Sequence, residues 1–294
     1  MRKIVAFAIG AAATLLGACE STTGGDTGTL TVRMTDAPFP FSSVSRVDVF
    51  VVRVDARTGA ATDAEATDET NMSDWTTVAS PNASINLLDL NGGKTTNLGQ
   101  ATLPTGTWNG FRLVIDPSKS SVTLTDGSQP NIVWPSASKT GIKIVLDAPV
   151  ALTANGSVMV LDFDIGRSFV MRGNDIRNNG LLFKPVIRAT ATDITGSASG
   201  TVHSTSATGP IVAGATVEVL KAGTAVDNTD DTNIIASTVT DANGAFSFAF
   251  LLPGTYALRA TPPSGSTLKP ALLTGGFTVT TGQTTSGLTV VLSP

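Results

Sequence analysis

The polar and apolar residues of this chain alternate with the period of a strand. Over residues 29–35, Leu30, Val32 and Met34 fall on one face and Thr31, Arg33 and Thr35 on the other. That pattern predicts a half-buried strand. Asp36-Ala37-Pro38 stops it, because proline cannot donate to a ladder and restricts the residue before it. Residues 44–55 form a second run, rich in β-branched Val44, Val47, Val49, Val51 and Val54, which favours a strand over a helix. Further strands are predicted at 85–90, 108–116, 121–125, 142–146, 157–165 and 181–192. Asn91-Gly92-Gly93 and Asp126-Gly127 supply turns, the second of hairpin type. No long helix-period pattern with caps interrupts residues 30–192. Many short strands at this spacing predict an antiparallel sandwich or barrel with one sizeable core.

The grammar changes after a Gly/Ser/Thr-rich connection at 193–199. Strands are predicted from Gly200 and over 211–219, 237–240, 245–248, 255–260, 277–280 and 288–292. Asp241-Ala242-Asn243-Gly244 makes a turn suited to positive φ. Leu103-Pro104-Thr105-Gly106-Thr107-Trp108 is echoed by Leu252-Pro253-Gly254-Thr255-Tyr256: in both, a Pro/Gly turn leads into an aromatic. The echo reflects either a shared architecture or a shared turn alone. Residues 57–74 are polar and acidic and read as an exposed insertion, either a mobile loop or a cation or partner contact.

Several segments carry a family resemblance. Gly28-Thr29-Leu30-Thr31-Val32-Arg33-Met34-Thr35-Asp36-Ala37-Pro38 resembles the opening signature of the DUF4382 family. The 85–90 segment, Leu103-Pro104-Thr105-Gly106-Thr107-Trp108 with Phe111-Arg112-Leu113, Val160-Leu161-Asp162-Phe163-Asp164 with Ser168, and Leu182-Phe183-Lys184-Pro185-Val186-Ile187-Arg188 match later motifs in order. Trp108 stands where tyrosine is commoner in the family, and 57–74 is longer than a minimal turn. The resemblance implies an exported bacterial β-rich domain and no particular activity. Residues 241–248 with 251–260 resemble the carboxypeptidase regulatory-like domains, small sandwiches of transthyretin-like or prealbumin-like type, grouped with carbohydrate-binding-like folds. These imply an accessory module without peptidase chemistry.

The N-terminus is a separate signal. Arg2 and Lys3 precede an uncharged apolar stretch over 4–16, shorter than the roughly 20 residues of a membrane span. Leu16-Gly17-Ala18-Cys19 follows, and it resembles the lipobox of bacterial lipoproteins. The resemblance implies cleavage after Ala18 and lipid on Cys19. Residues 20–29 are polar and Gly/Thr-rich, a flexible tether. Glu20, rather than aspartate, favours the outer membrane over inner-membrane retention in a Gram-negative cell.

Composition narrows the chemistry. The 294 residues include one His and one Cys, so no disulfide forms within the chain and few triads or zinc sites can be built. Mean hydropathy is +0.20. Removing residues 1–18 takes two of 19 basic residues and none of 23 acidic ones. The resulting net charge of −6 (17 minus 23) and the lack of a basic patch argue against nucleic acid.

Four constellations remain. Asp162 and Asp164 share a strand face, either as a hydrolase carboxylate pair or as structural acceptors. The 227–233 segment, Asp227-Asn228-Thr229-Asp230-Asp231-Thr232-Asn233, is rich in oxygen ligands but lacks EF-hand spacing, so it reads as a Ca2+ site or a solvated loop. His203 reads as a strand residue. Trp75, Trp108 and Trp134 could form a sugar platform; Trp108 reads as core, and Trp134 is the residue to test for ligand contact.

The expected molecule is all-β, with two antiparallel β-sandwich domains. A signal peptide (1–18) and tether (19–28) precede a DUF4382-like domain (29–192), a linker (193–199) and a regulatory-like sandwich (200–294). It is expected to be non-catalytic, without cofactor or metal. Membrane contact comes through lipidated Cys19, and the partner is a glycan or an envelope protein. The alternatives are a carbohydrate-binding surface lipoprotein and a polysaccharide-acting enzyme using Asp162/Asp164.

Overall fold

A computed structural model describes residues 25–36, 43–58, 75–134, 141–146 and 148–294. Cys19 with its leader, most of the tether and most of the 57–74 insertion lie outside them. The first unit contains strands β1 (Thr27–Asp36), β2 (Val44–Arg57), β3 (Thr76–Ala79), β4 (Ala83–Asn86), β5 (Thr96–Pro104), β6 (Gly106–Trp108), β7 (Gly110–Ile115) and β8 (Ser121–Leu124). It continues with β9 (Ile132–Val133), β10 (Ile142–Leu146), β11 (Val150–Leu152), β12 (Ser157–Phe163), β13 (Phe169–Met171), β14 (Leu181–Phe183) and β15 (Ile187–Ala191). Two single-turn helices, α1 (Ile165–Ser168) and α2 (Ile176–Asn179), flank β13.

The main sheet runs β3-β2-β7-β10-β15-β12-β1-β5, and the long β2 also pairs with β4 and β8. Alternation does what it predicts: Leu30, Val32 and Met34 are fully buried, as are Val47, Val49, Val51 and Val54. The sheet curls until its ends approach. A Cβ on Gly99 of β5 would lie 3.1 Å from that of Ala79 on β3, and Gly99 takes φ +141°.

Most pairs are antiparallel, but β1/β12, β10/β15 and β9/β14 are parallel. Pattern alone does not distinguish the two. The expected 85–90 strand ends at Asn86. Residues Leu87–Leu90 form a 3-10 turn that drives Leu87 and Leu90 into the core. The Asp126-Gly127 turn exists, with Gly127 at φ +83°, but it closes no hairpin. β8 pairs with β2, and β9 pairs with β14. The 181–192 run is broken into β14 and β15 around Pro185, which has no N–H to give a ladder.

The connection to the second unit is a 3-10 turn, Thr192–Ile194. Gly196 already begins the next strand. The second unit contains β16 (Gly196–Ser204), β17 (Thr216–Lys221), β18 (Ile234–Val239), β19 (Ala245–Leu251), β20 (Gly254–Thr261), β21 (Ala271–Leu272), β22 (Phe277–Val279) and β23 (Thr284–Leu292). One sheet is β19-β16-β23; the other is β18-β17-β20-β21, with β22 also on β20. Val202, Val217, Leu258 and Val290 meet between them in a separate apolar core. β16 and β23 are parallel. At the Asn-Gly turn, the Asp241 carboxylate accepts the N–H groups of Asn243 and Ala245.

The two Pro/Gly echoes share a local device. Trp108 Nε1 donates to Pro104 O at 3.3 Å, and Tyr256 OH donates to Leu252 O at 2.8 Å. Each aromatic tip satisfies the carbonyl four residues upstream.

Candidate functional site

The ends of β1, β12 and β15 lie side by side, which gathers the sequence motifs at one end of the main sheet. Asp162 on β12 stands in register with Arg188 on β15, and Arg188 Nε donates to Asp162 Oδ2 at 2.9 Å. Asp164 lies beyond the strand end and caps α1, accepting the N–H of Arg167 at 3.0 Å. Asp36, at the end of β1, accepts the buried N–H of Ile165 at 3.1 Å. Thr35 Oγ1 donates to Leu90 O and Lys94 O. Ser168 Oγ accepts the N–H of Val186 at 2.9 Å, which ties α1 to the Lys184-Pro185-Val186 segment.

This end of the sheet meets the second unit. Ser237 on β18 donates to Asp164 Oδ2 at 2.7 Å. Arg167 reaches across to Asp231 O at 3.1 Å and Ile234 O at 3.5 Å, and Arg188 reaches Ala249 O at 3.4 Å. β18 and β19 are the edge strands of their two sheets. The first unit therefore sets its polar side chains against two free edges, which would otherwise be open to other strands. Burial raises the Asp164 carboxyl to about 6, against the opposing pull of its bonds from Ser237 and the Arg167 N–H. A cavity of about 530 Å3 remains between the units. Asp162, Asp164, Arg167, Arg188, Lys143 and Lys221 all line it.

Asp162 and Asp164 both line this cavity, but they do not share a strand as expected, since β12 ends at Phe163 and Asp164 caps α1, and each is engaged by the fold. Asp162 is held by a guanidinium. Asp164 holds a helix N-terminus and a hydroxyl of the other unit. Arg167, Arg188 and Ser237 are site residues that pattern reading missed, since nothing local shows that they converge.

The 227–233 loop is organised from within and by arginines. Asp230 Oδ1 accepts the N–H of Thr232, and Asn233 Nδ2 donates to Asn228 Oδ1. Arg259 donates to Asn228 O at 2.7 Å, while Arg167 takes Asp231 O. These carbonyls are engaged by cations of the protein itself. No group of three His, Cys, Asp or Glu residues suited to a metal occurs among the described residues.

The three tryptophans occupy three different settings. Trp108 is buried in the core. Trp134 is half-buried and lies 4.5 Å from Phe183 and 6.0 Å from Phe169, centroid to centroid. Trp75 is covered by Arg57 and Arg112, at 4.9 and 4.7 Å from the ring centroid. They form no common platform. His203 is a strand residue, its Nδ1 bonded to Gly209 O and its Nε2 to Thr201 Oγ1.

A second polar cluster surrounds Trp75. Asp55, 2% exposed, accepts from Arg112 at 2.8 Å, Arg53 at 3.1 Å and Thr77 at 2.8 Å. Arg57 lies across Gly110, where any Cβ would fall 2.7 Å from its chain. Arg53, Asp55 and Arg57 sit at alternate positions of β2. That period-2 run of charge in an apolar strand is the signal that could have found them.

No helix among the described residues is long and apolar enough to cross a membrane. No curated protein matches the chain. Among solved structures, it is similar to the Bacillus anthracis TIE protein, with 10% identity and TM-score 0.26. That match covers 93% of this chain and 42% of the other. It is also similar to the minor pilin of Streptococcus agalactiae, with 11% identity, TM-score 0.24 and coverage of 90% and 95%. A third is the pilus backbone protein of Streptococcus pneumoniae, with 14% identity, TM-score 0.25 and coverage of 92% and 64%. The chain thus spans less than two thirds of the TIE protein and of the pilus backbone protein. Superpositions this loose transfer no function. Family models are more specific. The carboxypeptidase regulatory-like domain matches residues 197–293. The domain of unknown function DUF4382 matches residues 27–185, more than half of the sequence and every motif at the junction up to Pro185, and the chain belongs to that family.

Proposed function

We propose that this chain is a non-catalytic cell-envelope protein, tethered to the outer membrane of a Gram-negative cell through lipid on Cys19. Its two joined sandwiches serve a binding or structural role. The observation that carries this reading is the use made of the junction side chains. Asp162, Asp164, Arg167 and Arg188 are bound to other parts of the fold. A general acid or nucleophile needs a face open to substrate, whereas Asp164 is only 7% exposed.

The Leu16-Gly17-Ala18-Cys19 segment supports the tether, since a thiol follows small residues where a lipoprotein peptidase cuts. One acyl chain binds a membrane only marginally, but two or more hold it. The polar residues after Cys19 then give the body reach. Cys19→Ser tests the reading in the producing cell. The variant is expected in the soluble fraction, and retention on membranes at the parent level would overturn the lipid tether.

A further inference from the structure

The cleft between the two units has an uneven distribution of charge. Six lysines lie among the described residues: Lys94, Lys119, Lys143, Lys184, Lys221 and Lys269. Lys119 pairs with Asp116, and Lys269 donates to Pro294 O. Of the other four, Lys143 and Lys221 line the 530 Å3 cavity, and Lys184 lines a second cavity of about 460 Å3 beside it. Arg167, Val186, Asp231 and Thr232 line both.

Within the larger cavity the acids are mostly engaged. Asp162 holds Arg188, and Asp164 holds Ser237 and the Arg167 N–H. Asp231 adds one carboxylate. With four cations against three acids lining it, the cavity keeps a positive surplus in a chain of net charge −4. Lys143 and Lys221 line it from opposite units, and their side chains have no hydrogen bond or ion pair among the described residues. The Asp230 carboxyl, held low mainly by its bonds from Thr232, is lowered further by the positive charge of Lys221. The aliphatic part of the wall is Pro185 and Val186 on one side and Ile234 on the other, all half-buried; Ile235 also lines the cavity but packs against the second unit's core.

We propose that this cleft binds an amphipathic organic anion, a carboxylate or sulfonate with an apolar body. The anionic head would lie between Lys143 and Lys221, and the body along the aliphatic walls. The volume falls within the roughly 300–1,000 Å3 of small-molecule sites. An aliphatic wall favours an apolar body over a sugar, which stacks on aromatic rings. This proposal specifies what the body binds and is independent of the Cys19 tether, so either can fail alone.

The probe is anilinonaphthalene sulfonate, whose fluorescence rises in an apolar site, added to the purified full chain. Saturable binding is expected, displaced by decanoate and far less by decanol or decyltrimethylammonium. Lys143→Glu with Lys221→Glu should weaken it by about tenfold or more, a change of roughly 1.4 kcal/mol or above. Both lysines are at least partly exposed, so the unfolding midpoint checks that the fold is kept. Ile234→Asp, which places a charge on the wall, should weaken binding too, with the same check on the unfolding midpoint. Absence of saturable binding, equal displacement by decanol, or unchanged affinity in the double lysine variant would each overturn the proposal.

Discussion

The two units bury different things. The second closes a sandwich over an apolar core in which the buried polar residues are threonines, Thr195, Thr238 and Thr240. The first buries Asp36, Asp55, Arg57, Arg112 and Asp164. Those charges fall into two clusters, one around Trp75 and one at the junction. A threonine can satisfy itself against backbone alone, as Thr240 does by accepting the N–H of Ala215 and donating to the carbonyl of Val212. A buried charge needs a partner of opposite charge or several hydrogen bonds. The difference teaches that the first unit gives its buried polar positions to paired charges, and the second gives them to neutral hydroxyls held by backbone.

Breaking the first unit's pairing should cost most. Asp55→Ala leaves Arg112, 8% exposed, without its closest carboxylate and should destabilise the chain by about 3–5 kcal/mol. Asp55→Leu combined with Arg112→Met should cost far less, because no charge is left behind. Urea denaturation followed by tryptophan fluorescence measures both, since Trp75, Trp108 and Trp134 all lie in this unit.

Asp164 sharpens the contrast through pH. Its carboxyl is raised to about 6 from the ordinary 3.8, so the folded chain holds this proton more tightly than the unfolded one. That contribution is complete below about pH 4 and is lost as pH rises through 6. The raised value corresponds to about 3 kcal/mol. Asp164→Asn, a mimic of the protonated form, should flatten the part of the stability profile between pH 4 and 6. An unchanged profile would show that Asp164 does not titrate as described.

In the second unit, Thr240→Val leaves the Ala215 N–H and the Val212 carbonyl without their buried partner and should cost about 2 kcal/mol, measured by urea denaturation followed by circular dichroism and the emission of Tyr256, which lies in that unit. At the surface, Arg177 pairs with Asp126 where both side chains are about half exposed, at 53% and 45%. Arg177→Ala should leave the unfolding midpoint unchanged.

The same contrast explains what could be read in the sequence. β1 and β2 were legible because Leu30, Val32 and Met34 alternate strictly, as do Val47, Val49 and Val51, and because β2 is rich in β-branched residues. The turn at Asp126-Gly127 was legible and its pairing was not, because a turn motif reports local backbone while β8 finds β2 far upstream. Leu87 and Leu90 are three apart, a spacing that suits one 3-10 turn as well as an apolar strand end. At the junction, Asp162 and Asp164 stood out as acids in an apolar run. Their partners Arg188, Ser237 and Arg167 carry no local mark, because only the strand order brings them together. The Trp75 cluster left a trace in the alternate charges Arg53, Asp55 and Arg57, but Arg112 comes from β7 through register alone.

The central claim is that the junction carboxylate fastens the two units into one body. A double-mutant cycle of Asp164→Ala and Ser237→Ala, followed by the tryptophan signal of the first unit, tests it most directly. A coupling energy of about 1–2 kcal/mol is expected, as for a hydrogen bond to a buried charged group, with Ser237→Ala alone shifting the first unit's transition. Strict additivity, with that transition unmoved by Ser237→Ala, would contradict the claim.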